Sequence, residues 1–316
     1  MFVSEALAVA SAFCMALGSM VLSELRGRVP LFQLARWQTL AGFLMAGVVA
    51  LATGGWRTVG PWQFGLLAAS SVAGVMIAST TYFAAIYSVG PRVTALLFAL
   101  TSPFALALGY LALGETISLG QGLGVALVLS GVVLAIGLPH QPFSPAAGAR
   151  AVMGAAPVAQ ALGAAPAPPR AVSRWPGIAL GVVTALGQAL GSLLARPAMA
   201  SGVEPFTGMA LRSGLGAAFF FALAAVPFDQ GPRSAFRTDT AALVVISAFV
   251  GTTLGMSFLL AALQQGDVGI VSTLSSMTPV VILPMVWIRS GTRPSAPAWL
   301  GAVIAIAGTA LISVKG

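Results

Sequence analysis

The sequence predicts an all-α polytopic membrane protein, built as ten transmembrane helices in two inverted five-helix repeats. Three observations predict it. The chain is 58% hydrophobic and 7% charged, against roughly 25% charged residues in a soluble domain. Apolar runs of about 18 residues or more, each long enough to cross a bilayer, recur from end to end. The order of motifs in the first half also returns in the second.

The apolar helices of the first half are expected near 4–22, 31–53, 62–89, 93–113 and 120–137. Those of the second are expected near 176–198, 205–227, 241–264, 268–288 and 297–314. Charges and turn residues gather in the breaks: RGRVP, GGWR, GPR, GETIS, DQGPR, QGD and RSGTRP. Residues 138–175 are rich in Ala, Pro and Gly and carry little periodicity, so they read as a disordered linker. The domain division is therefore 1–137, linker 138–175, and 176–316. The linker holds the single histidine, His140, for which no catalytic role is expected. The first helix begins with Glu5 and no basic residue, unlike a signal peptide. Its Cys14 is the sole cysteine, so no intrachain disulfide forms and helix packing is its expected role.

The repetition is specific. ALGSMVLSEL at 16–25 matches ALGSLLARPA at 189–198, and ARWQTLAGFLMA at 35–46 matches LRSGLGAAFFFA at 211–222. GPRVTALLFALTSP at 90–103 matches GDVGIVSTLSSMTP at 266–279, and GVALVLSG at 124–131 matches GAVIAIAG at 301–308. The offset drifts from 173 to 176 to 177, changing only in loops. An odd number of helices makes the second copy enter from the opposite side, which relates the halves by a pseudo-two-fold axis in the membrane plane. Alternating-access transporters use this plan, with the substrate near the midplane between repeats.

The paired features are Arg36 and Arg212 opening the second helix of each half, Pro103 and Pro279 within the fourth, and Gly124, Gly131, Gly301 and Gly308 in the fifth. With LGE at 113–115 they resemble the drug/metabolite transporter superfamily, in its EamA-type ten-helix branch. The resemblance covers the chain outside the linker. It implies a carrier, exporter or importer, of small metabolites including amino acids, with both termini in the cytoplasm. One departure is that RSG at 289–291 stands where a second copy of Glu115 is expected.

The segment VSTLSSMTPVVILP, 271–284, carries the most polar face of the chain. Ser272, Ser275 and Ser276 follow helical spacing and share a side. Pro279 cannot donate a backbone hydrogen bond, leaves the Ser275 carbonyl unpaired and kinks the helix. In lipid such groups must be satisfied by protein or water. The expected solute cavity is lined by Tyr82, Thr101, Ser102, Gln188, Ser257, Ser272, Ser276 and Thr278, with Pro103 and Pro279 as hinges. Ser71, Ser79, Thr184, Ser192, Thr253 and Gln264 fall on similar faces of the third, sixth and eighth helices. The fifth and tenth helices, with glycines every seven residues and few polar groups, are expected to pack closely at the periphery.

Charges within membranes are costly and usually functional. Arg36 and Arg212 alone come near to qualifying, and two readings stand: snorkelling to the interface, or a substrate-carboxylate or gating role. The lack of a mid-helix carboxylate argues against lipophilic cations as cargo. It favours a small neutral, zwitterionic or anionic metabolite, with an amino acid included and export preferred over import. The sequence holds no catalytic cluster of His, Asp pair or activated Ser, so no enzyme, metal or cofactor is expected. The alternative function is a non-transporting accessory membrane protein that keeps the duplicated fold. A net charge of +8 is scattered over loops and does not point to nucleic acid. The arginine count puts the termini outside, against the cytoplasmic termini that the resemblance implies. The expected partners are a small-molecule solute and the lipid of a cell (inner or plasma) membrane. Proton coupling, and a monomer or a homodimer, are both compatible with this reading.

Overall fold

The computed structural model describes residues 2–23, 29–89, 94, 97–136, 175–224, 238–290 and 295–313. The expected linker lies outside them, apart from Trp175. All regular structure among the described residues is helical. In the first half α1 is Phe2–Ser23, α2 Leu31–Thr53, α3 Pro61–Ser71 and α4 Ala78–Val89; α5 is Thr101–Leu108 and α6 Leu119–Ile136. In the second half α7 is Trp175–Ala200, α8 Pro205–Leu223, α9 Thr238–Ser247 and α10 Gly255–Ala262. The ninth rod divides into α11 (Val268–Ser275) and α12 (Thr278–Ser290), and α13 is Ala296–Ser313.

Five rods are apolar helices of membrane-crossing length among the described residues, and two of these, Pro61–Tyr82 and Thr240–Ala262, contain a π turn. The remaining apolar helices are shorter, and the interruptions of the rods are ordered. A π-helical turn, Val72–Ile77, joins α3 to α4, and another, Ala248–Leu254, joins α9 to α10. Their first residues lie 176 positions apart, the same offset that relates Pro103 to Pro279. A π turn inserts one residue into the helix and re-aims the residues beyond it, and it is frequent at functional sites. A further π turn, Gly109–Leu113, closes the fourth rod and ends at Gly114 with φ 66°.

The repeats interlock through glycine. A Cβ placed on Gly18 of α1 would lie 2.5 Å from the Cα of Gly251, in the second π turn. A Cβ on Gly191 of α7 would lie 2.7 Å from the Cα of Gly74, in the first. Gly18 aligns with Gly191, and Gly74 with Gly251 one residue beyond the shared offset. The first rod of each repeat therefore crosses the third rod of the other, as a pseudo-two-fold requires.

The fifth and tenth rods, α6 and α13, pack as a separate antiparallel pair. Cβ atoms on Gly131 and Gly308 would meet Gly301 O at 2.5 Å and Gly124 O at 2.6 Å. Small residues let backbones approach where lipid supplies no hydrophobic drive. Large apolar side chains such as Val48, Leu51, Leu111 and Ile306 stay exposed, a surface suited to acyl chains. The interior is instead rich in alanine, with Ala8, Ala12 and Ala16 along one stripe of α1 fully buried.

Candidate functional site

The ninth rod departs from the single kinked helix that the sequence predicts. It stops at Ser275, turns through Ser276 and Met277, and restarts at Thr278. Pro279 is thus the second residue of α12, and Pro103 the third of α5. The first turn of a helix tolerates proline, because its N–H would have no intrahelical partner there. Side-chain hydroxyls of the run donate back to backbone carbonyls, one of them the carbonyl freed at the break. Thr278 Oγ1 donates to Ser275 O at 3.0 Å, the carbonyl that Pro279 cannot serve. Ser276 Oγ donates to Ser272 O at 2.7 Å, Ser275 Oγ to Val271 O at 2.8 Å, and Thr273 Oγ1 to Gly269 O at 2.8 Å. In the fourth rod Thr101 Oγ1 donates to Phe98 O at 2.7 Å. Four of the five hydroxyls in the run therefore return to their own helix, although a simple kink needs only one or two such partners. Ser272 is the exception: it is buried, and its Oγ has no hydrogen-bond partner among the described residues.

The two breaks meet. Ser102, fully buried, donates to the hydroxyl of Thr273. A side chain at Gly269 would collide with Leu106 of α5, whose Cα lies 3.0 Å from the Cβ position. Helical spacing leaves Thr273 off the polar face, so this link is not visible in the sequence.

The remaining candidates are spread over neighbouring rods. Tyr82 sits edge-on to Phe98 with ring centroids 5.9 Å apart. Gln188 brings its Oε1 to the Gly74 crossing. Ser257 is buried, and its Oγ has no partner among the described residues; the same holds for Ser213, which no sequence signal singles out. Ser71 donates to Arg212 O at 2.8 Å, and the hydroxyls of Thr81 and Thr184 lie 2.8 Å apart across α4 and α7. Gln264, by contrast, is spent on Val203 O at 2.9 Å near a rod end.

The two arginines part company. Arg36 is half-buried, and its Nε donates to Phe32 O, one turn back, at 3.4 Å. Arg212 is 1% exposed, so it does not snorkel. It lies between α3 and α7, beside Gly74 and Gln188.

The sequence pattern of the EamA-like transporter family matches residues 3–137 and again 175–314. The chain belongs to the EamA-like transporter family. It is a multi-pass membrane transporter of the drug/metabolite type. No curated protein matches it. A solved crystal structure of a protein shares the fold, with a TM-score of 0.77, 98% of this chain and 96% of that one covered, and 17% identity.

At one end of this EamA-like bundle a cleft of about 490 Å³ is lined by Glu115, Thr116, Arg196, Pro197 and Asp267, with Leu113 and Gly114. Both oxygens of Glu115 accept from Val268 N, at 3.0 and 2.9 Å. Asp267 holds the N-cap position of α11 but makes no side-chain cap bond. An acid from the first repeat thus caps a half-helix of the second, where carboxylates are favoured. Burial pushes the Glu115 carboxyl above its ordinary range, against the pull of the Val268 N–H; Asp267 raises it further and Arg196 lowers it. A carboxyl raised in the fold binds its proton more tightly there than in the unfolded chain. Its contribution to stability is full below the ordinary carboxylate range and is lost as pH rises through the raised value. Melting of the purified transporter is therefore expected to shift upward as pH falls from neutral, and Glu115→Gln to flatten that slope. An unchanged slope in the variant would assign the pH dependence to another group.

Proposed function

We propose that this transporter is a secondary carrier that works by alternating access. It moves a small neutral, zwitterionic or anionic metabolite, amino acids included, across the plasma membrane, with export preferred. One observation carries the reading: interruptions of the fourth and ninth rods, matched between inverted repeats, are joined at their meeting point by the Ser102–Thr273 hydrogen bond. Discontinuous helices at a repeat interface are where such carriers place their substrate. A two-residue break also concentrates backbone rotation at a few positions. The buried hydroxyls of Ser213, Ser257 and Ser272, without partners among the described residues, support the same reading. Each costs about 1–3 kcal/mol when nothing answers it, and water or a solute in the path would answer it.

The test is counterflow in proteoliposomes holding the full chain, preloaded with single members of a panel of amino acids, organic acids and neutral polar metabolites. Saturable exchange of at least one labelled solute above protein-free vesicles is expected. Folded protein that exchanges none of them would favour the non-transporting alternative.

A further inference from the structure

Arg212 is the largest fully buried side chain among the described residues. Its Nε and Nη2 have no hydrogen-bond partner there. These two atoms form one of the two edges of a guanidinium on which two N–H bonds run parallel and can receive a carboxylate with both oxygens. The surroundings locate it. A Cβ built on Gly74 would lie 2.9 Å from Arg212 Nη2, 3.2 Å from the Cα of Gly191 and 3.7 Å from Gln188 Oε1. The group therefore lies at a glycine crossing of the two repeats, beside the first π turn, with one amide close by. The backbone that carries it is fixed through the bond from Ser71 Oγ to Arg212 O.

No acid among the described residues balances this charge. Glu204 spends its oxygens on Phe206 N, Thr207 N and Thr207 Oγ1, and Glu115 spends its own on Val268 N. Glu5, Asp239 and Asp267 lie at helix ends. An arginine does not give up its proton in proteins. A buried ion without a counter-ion is strongly unfavourable, and an intramembrane ionisable residue is by default a functional one.

We infer that Arg212 is a receptor for a carboxylate on the transported solute, bound along its Nε–Nη2 edge with Gln188 beside it. The inference rests on the transporter reading above and narrows its substrate class. A single uncompensated positive charge matches a single negative one, which favours a carboxylate over a doubly charged phosphate group. The carboxylate belongs either to an organic acid or to an amino acid, and both sources enter the test.

The experiment tracks thermal unfolding of the full chain in nanodiscs with matched probes: propionate against propionamide, benzoate against benzamide, then alanine and methylphosphonate. Carboxylates are expected to raise the melting temperature and their amides not. A response to alanine as well as propionate admits amino acids; a response to propionate or benzoate alone restricts the site to organic acids, and both uphold the carboxylate. Arg212→Gln is expected to raise the half-saturating concentration by tenfold or more, while melting no lower than the wild type without ligand. Arg212→Lys is expected to keep a weaker response. If Arg212→Gln does not fold, the wild-type acid–amide pairs and Arg212→Lys decide. Equal effects of acid and amide, no response to any carboxylate, or a larger effect of methylphosphonate would overturn the inference. So would an Arg212→Gln protein that loses stability but keeps its carboxylate response. Counterflow separates this from the transporter reading. Flux of neutral solutes without carboxylate preference sinks the receptor alone, and carboxylate binding without flux sinks the transporter reading alone.

Discussion

Replacing Gly191 by leucine is expected to destroy the folded bundle. The Cβ alone would stand 2.7 Å from Gly74 Cα, 3.0 Å from Gly74 N and 3.2 Å from Ser70 O, all of them backbone atoms. A side chain can rotate away from an intruder, whereas two crossing helices must separate. Overpacking in a core costs typically about 1–3 kcal/mol. Separation here would also break the bond from Ser70 Oγ to Gly191 O, worth about 1 kcal/mol. Together these are a large fraction of a total stability of roughly 5–15 kcal/mol. Gly18→Leu, at the symmetry-related crossing with Gly251, is expected to do the same. Gly47→Leu is the control, since nothing lies within 4 Å of its Cβ position, and it should stay within about 0.5 kcal/mol of the wild type. The measurement is the yield of monodisperse protein in detergent, together with its melting temperature. A Gly191→Leu protein as abundant and as stable as Gly47→Leu would mean that the rods do not cross this closely.

Alanine at both 103 and 279 is expected to slow solute exchange about tenfold, which is roughly 1.4 kcal/mol on the barrier, with expression little changed. Each substitution restores a backbone N–H in the first turn of a half-helix. At position 279 that N–H becomes a competitor of Thr278 Oγ1 for Ser275 O, now 3.0 Å from that hydroxyl. Capture of the carbonyl would anneal α11 and α12 into one rod and remove the turn at Ser276 and Met277. The readout is the counterflow rate per reconstituted molecule, with each single variant measured beside the double. A rate equal to wild type in the double variant rules out the hinge role.

Much of the architecture was legible because it rests on residues with one physical use. Glycines repeated at seven-residue spacing in α6 and α13 mean backbone contact, and Gly124, Gly131, Gly301 and Gly308 make it. Paired prolines meant disturbed helices at matching places, but the kink expected of a single helix is in the ninth rod a full break between α11 and α12. The π turns at Val72–Ile77 and Ala248–Leu254 were not legible, since one inserted residue leaves composition and hydropathy unchanged. Arg36 and Arg212 were indistinguishable in sequence, at equal depth in equivalent helices, because only the partner rods decide which is enclosed. The hydroxyls of the ninth rod were assigned to a face by periodicity. Periodicity does not show which neighbour a face meets, and Thr273, off the polar face, is the residue that reaches Ser102 in the other repeat.

Duplication gives an alternating-access carrier two doors that symmetry would make equally easy to open. Glu115 ties the two repeats together at one end through Val268 N, and the equivalent stretch of the second repeat reads RSG. A cap of this kind is worth about 1 kcal/mol, or a population ratio of roughly five to one. In the proposed carrier, a contact present at one end alone would bias the resting molecule toward the state in which that contact is made. Acidity on the Glu115 side would reach this contact directly, so in the proposed carrier a pH difference across the membrane would act on one end of the molecule and not on the other.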